Sequence, residues 1–95
     1  MPAYLISTIE ITDPAGYEEY RKLVAPVLQQ YGGRFLVRGG RIHCLEGDWC
    51  PKRVVVVQFD SVEKAKVFND APEYARAKAI RHRTAVSSVI VVEGL

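Results

Sequence analysis

Two runs, Arg53-Val54-Val55-Val56-Val57-Gln58-Phe59 and Ser88-Val89-Ile90-Val91-Val92-Glu93, carry β-branched residues on both alternating sets of positions. A strand of that composition is buried on both faces, so the sheet that holds it must be covered twice. The rest of the chain supplies only two helical regions, enough for one face. A second copy of the chain is therefore expected to cover the other.

The remaining elements follow from local signals. Residues 3 to 11 alternate as a strand, with Leu5, Ile9 and Ile11 on one side and Tyr4, Ile6 and Thr8 on the other. Asp13-Pro14 opens a helix, with Asp13 as its cap and Pro14 in the first turn. Its inward stripe is Tyr17, Tyr20, Val24, Val27, Leu28 and Tyr31; Pro26 is expected to kink it, and Gly32-Gly33 ends it. Arg34 to Val37 then read as a strand, Gly39-Gly40 as a bulge or tight bend, and Arg41 to Glu46 as its continuation. Gly47 to Pro51 turn the chain into the valine-rich strand. A second helical region begins at Asp60-Ser61, with Glu63 completing a capping box, and is interrupted at Asn69-Asp70-Ala71-Pro72. A further helical piece runs to about Ala85, and Val86 to Glu93 form the last strand. The order is βαββαβ, which predicts an α+β, ferredoxin-like fold: one domain over residues 1–95, a four-stranded antiparallel sheet with its helices on one face.

Composition narrows the function classes. The chain has 95 residues and a formal net charge of +2, with acidic and basic residues interspersed, so nothing demands a polyanionic partner. No apolar run reaches membrane-spanning length, and the amino terminus has no secretory pattern, so a cytoplasmic setting without membrane contact is expected. RNA-recognition modules share the βαββαβ order but carry stacking aromatics on the third strand, where this chain has Val54 to Val57; no nucleic-acid partner is expected. Cys44 and Cys50 lack a CxxC spacing and are expected as two reduced thiols. The glycine pairs do not follow a strand and open a helix, so no phosphate loop is predicted.

Gly32-Gly33-Arg34-Phe35-Leu36-Val37-Arg38-Gly39-Gly40, Leu45-Glu46-Gly47-Asp48-Trp49, the Arg53-to-Val56 strand, and Pro72-Glu73-Tyr74 with Arg81 together resemble the family called domain of unknown function 1330. The resemblance covers essentially the whole chain and implies a dimeric α+β barrel, in which two ferredoxin-like sheets pack face to face. That superfamily includes cofactor-independent monooxygenases, lactone-pathway isomerases and haem-degrading enzymes. The family's usual serine before the Pro-Glu-Tyr run is Ala71 here, so a hydroxyl cap on the last helix is absent.

Several side chains carry potential chemistry. A helical wheel places Arg81 with Tyr74, Ala77 and Ile80, facing the sheet. The inward guanidinium either binds a ligand carboxylate, with Tyr74 donating a hydrogen bond, or pairs internally with Glu46, Glu73 or Asp60. Tyr17 fills core volume or walls a ligand pocket. Arg34 and Arg38, read as flanking Leu36 on one side of a strand, are ligand cations or edge charges. His43 is a candidate general base on a strand, or a half-exposed strand histidine. Trp49 is a lid over a dimer groove, or a ring that buries its turn. His43, Cys44, Asp48 and Cys50 have metal-ligand chemistry, but strand neighbours point to opposite faces and no metal site is predicted. The expected classes are a cofactor-free enzyme acting on a small acidic or aromatic metabolite, with His43 and Tyr74 as catalytic candidates and Arg81, Tyr17, Trp49 and Arg38 as ligand contacts, or a non-catalytic small-molecule-binding or regulatory dimer.

Overall fold

In the computed structural model, which describes residues 1–95, the chain runs β1 (Ala3–Ile11), α1 (Pro14–Gln30), β2 (Arg34–Arg38), β3 (Arg53–Phe59), α2 (Val62–Asn69), α3 (Pro72–Thr84) and β4 (Ala85–Glu93). The strands form one antiparallel sheet in the order β2-β3-β1-β4. This is the ferredoxin-like α+β arrangement, with the second helical region in two pieces.

Pairing register sorts the side chains onto two faces. Leu5, Ser7 and Ile9 of β1 lie opposite Val57, Val55 and Arg53 of β3 and Val91, Val89 and Ser87 of β4. The helices pack on this side, where Ala3, Ile9, Val57 and Phe59 are buried. Tyr4, Ile6 and Thr8 belong to the other face, beside Gln58, Val56 and Val54 and beside Val92, Ile90 and Ser88. No helix covers that face, and Ile90 is left 57% exposed and Val92 43%.

Each helix starts for a local reason. The Asp13 carboxylate accepts from the Gly16 amide at 3.2 Å, and Pro14 takes the first position, where a missing N–H costs nothing. α1 then runs unbroken through Pro26 and buries Tyr17, Val24 and Leu28. The cap of α2 is Ser61 and not Asp60: its hydroxyl accepts from the Lys64 amide at 3.2 Å, while Asp60 pairs with the Lys64 ammonium at 3.3 Å. Ala71 leaves α3 with no side-chain cap, and the helix buries Tyr74, Ala77, Ile80, Arg81 and Thr84. The core is aromatic at its centre, with the Phe68 ring 4.4 Å from Tyr74 and 5.6 Å from Phe59. The Thr84 carbonyl accepts from the Thr12 and Asp13 amides at 2.8 and 3.0 Å, which ties the end of α3 to the start of α1.

Two expectations fail between residues 39 and 52. Arg41 to Glu46 form no strand. β2 is an edge strand whose ladder with β3 ends at Arg38 opposite Val55, and after the Gly39 amide reaches the Val54 carbonyl at 3.0 Å the next residues have no strand to pair with. The segment is an exposed loop instead. Cys44 and Cys50 are bonded to each other as a disulfide, not held as two thiols. Six residues of strand would hold them roughly 20 Å apart; the curled loop brings their Cα atoms to 5.8 Å. No helix is long and apolar enough to cross a membrane.

Candidate functional site

Between α1 and the sheet lies a cavity with about 40 Å³ of free space, lined by 17 residues of which 12 are hydrophobic. That space holds a few water molecules, so a metabolite enters only if side chains move. The polar lining is Ser7, Asn69, Arg21, Arg38 and Arg53, with no carboxylate and no histidine.

The tyrosines come from two helices. Tyr17 and Tyr20 of α1 pack with their rings tilted by 44° and centroids 5.2 Å apart, and the Tyr20 hydroxyl lies 3.1 Å from that of Tyr74 on α3. Burial is the main cause that pushes the Tyr20 phenol far above its usual pKa, with the neighbouring Tyr74 hydroxyl adding to it. Burial raises Tyr17 as well, partly opposed by the Arg53 guanidinium. Both are therefore neutral phenols at neutral pH, able to donate hydrogen bonds but not to act as bases.

The arginines arrive through sheet geometry. Arg53 lies opposite Ile9, on the helix side, with its Cζ 5.8 Å from the Tyr17 ring. Its guanidinium rests against the backbone of Gly39, at φ +72°, where a β-carbon would collide with it. A bulge between Phe35 and Val37 changes the register of β2, so Arg34 and Arg38 do not share a face as the sequence suggested. Arg34 lies opposite Gln58 and donates to its side chain at 2.8 Å, whereas Arg38 lies opposite Val55, on the cavity side. Arg38 stacks 4.4 Å over the Phe35 ring and donates to the Arg21 carbonyl at 3.2 Å.

The site residues expected from the sequence are thus divided. Tyr17, Tyr74 and Arg38 line the cavity together. Arg81 is only 5% exposed but sits behind the tyrosines, where its charge acts on Tyr17 and Tyr20. It donates to the Ser87 hydroxyl and has no carboxylate partner. The internal pair expected for it does not form, because Glu73 accepts from Tyr31, Asp60 holds Lys64, and Glu46 is out on the exposed loop. His43 is on that loop too, exposed and away from the cavity, because the strand that would have aimed it was never built. Trp49 is 75% exposed beside Thr8, Val86 and Ser88, also outside the cavity. The sequence reading missed Arg53 and Arg21. Alternation with Val55, Val57 and Phe59 was a usable signal for Arg53, and the spacing of four from Tyr17 was one for Arg21. No three His, Cys, Asp or Glu side chains are grouped to hold a metal ion.

Strand order and the single helix-covered face define a ferredoxin-like α+β protein. The chain belongs to the family described as Domain of unknown function (DUF1330), whose model matches residues 2–95. No curated protein matches it. Among solved structures it is similar to RPA0582, a protein of unknown function from Rhodopseudomonas palustris, at 21% identity over 99% of this chain and 82% of that one, with a TM-score of 0.79. It is also similar to SnoaB, a cofactor-independent oxygenase from Streptomyces nogalater, at 12% identity over 99% and 93% of the two chains, with a TM-score of 0.72. A dimeric protein of unknown function with a ferredoxin-like fold from Bacteroides fragilis matches at 12% identity over 98% and 96%, with a TM-score of 0.66. These likenesses establish the fold.

Proposed function

We propose that the protein is a cofactor-independent enzyme acting on a small acidic or aromatic metabolite held in the cavity between α1 and the sheet. The observation that carries this reading is the Tyr20–Tyr74 hydroxyl pair at 3.1 Å, set within aromatic walls. Two neutral phenols in series form a donor that strengthens as negative charge develops on a bound oxygen. A substrate with an acidic C–H or O–H loses its proton to water and leaves its charge on oxygen, where Tyr74 donates to it while Tyr20 orients Tyr74. The likeness to a cofactor-independent oxygenase is consistent with such chemistry, as an analogy of fold.

The test is exchange of deuterium into the acidic C–H positions of a panel of 1,3-dicarbonyl and phenolic compounds, followed by NMR, with oxygen uptake measured in parallel. Tyr74→Phe is expected to slow exchange by roughly 10²-fold, the usual cost of losing one donor to a developing oxyanion, while leaving the fold intact. The absence of any base in the cavity lining favours a second reading, a non-catalytic small-molecule-binding or regulatory dimer. Ligand-induced stabilisation with no exchange or uptake across the panel selects it.

Both readings take residues 1–95 as one domain and the working form as a homodimer joined through the helix-free sheet face. Exposed Ile90, Val92 and Val37 on that face support this, as does the neighbour described as dimeric. The setting proposed is the cytoplasm, where reductants reach the exposed Cys44–Cys50 bridge.

A further inference from the structure

Arginines with buried guanidinium atoms are normally held by carboxylates, and around this cavity only Arg21 has one. Arg53 and Arg38 have no acidic group within ion-pair distance, and Arg21 has only the exposed Glu18, at 2.7 Å. The Nε atoms of Arg21 and Arg53 are both buried with no hydrogen-bond acceptor. Unsatisfied buried donors are rare and call for an explanation. Tyr17 is no hidden counter-ion, since burial keeps its phenol protonated. Behind these groups the buried Arg81 adds a further charge without a carboxylate.

We propose that Arg21, Arg38 and Arg53 form an anion subsite, and that the ligand is an aromatic-bodied monoanion, a carboxylate or enolate, whose ring lies among Tyr17, Phe35 and Val55. The inference rests on the cavity being the ligand site, as above, and narrows the ligand to one that is both aromatic and charged. The orphaned Nε–H groups of Arg21 and Arg53 donate to its oxygens, and Arg38 completes the clamp. With 12 hydrophobic residues among the 17 that line the cavity, an apolar body suits the site better than a phosphate or other compact polyanion. Arg38 is also the gate: it is exposed and held only by one carbonyl and the Phe35 ring. Its outward swing opens the 40 Å³ cavity to a ring-sized guest.

The test is calorimetric titration of the intact protein with 1-naphthoate, its uncharged isostere 1-naphthamide, and inorganic sulfate. Naphthoate is expected to bind with a Kd of roughly 1 mM or tighter, and about tenfold or more tighter than the amide. Arg53→Gln and Arg21→Gln are each expected to weaken naphthoate about tenfold, while Arg76→Gln, an exposed arginine on α3, changes nothing. Circular dichroism checks the fold of each variant; should Arg53→Gln fail to fold, the exposed Arg38→Gln carries the same expectation. The amide binding as tightly as naphthoate, sulfate binding in its place, no binding of naphthoate at all, or insensitivity to the folded variants each overturns the proposal. Charge-selective binding without proton exchange sustains this subsite and removes only the enzyme reading. Turnover of a neutral aromatic that ignores the arginine variants does the reverse.

Discussion

Tyr17 and Tyr20 keep their protons in the folded chain at pH values where an unfolded chain gives them up. Both folded pKa values are raised, chiefly by burial. Below about pH 10, the usual tyrosine value, each is protonated in either state and the folded protein loses nothing. Above it the unfolded chain ionises first, so the folded state binds more protons and stability falls as pH climbs toward the folded values. Denaturant midpoints measured between about pH 9 and 11 are expected to decline for the native sequence and to decline less steeply for Tyr20→Phe, which keeps the contribution of Tyr17; equal slopes count against the assignment. At this scale the sequence was informative wherever a wheel or an alternation applied. Arg81 turned inward beside Tyr74, Ala77 and Ile80 as its spacing required, and all four are buried. Its partner was not legible, because an ion pair depends on which carboxylates the fold carries there.

The elements were placed nearly to the residue where local signals were strong: β1 spans Ala3–Ile11 and β3 spans Arg53–Phe59. They failed at the edge strand. Arg41 to Glu46 have a strand-like composition, but a strand exists only beside a partner, and β3 has none left to give. That one failure also released His43 from any fixed direction and let the cysteines meet. The start of α3 offers a test of helix chemistry. Ala71 has extended dihedrals and no side-chain bond to the first turn, so Ala71→Ser is expected to raise stability by about 0.5–1 kcal/mol through a hydroxyl accepting from the free amides. A lower melting temperature would mean that burying the hydroxyl at this 5% exposed position costs more than the cap returns.

At the level of the whole molecule, one sheet face is unclothed. Val56 sits in its middle, opposite Ile6 and Val37, with no helix above it. A stable interface there buries on the order of 800 Å² per subunit. Light scattering after size-exclusion chromatography is expected to give a dimer for the native chain and a folded monomer for Val56→Asp, because the charge is solvated once the copies part. A native chain that elutes as a folded monomer at micromolar concentration rules the interface out. The sequence alone determined most of the strands, the helices and their apolar stripes, because periodicity, capping and propensity are properties of neighbouring residues. Only the tertiary structure decided that a bulge turns Arg38 to the cavity side, that Cys44 and Cys50 meet, and that Arg21, Arg38 and Arg53 converge on a cavity whose lining holds no acid. Those outcomes depend on strand register and on which elements share a cavity, and both are fixed by pairing between segments far apart in the chain.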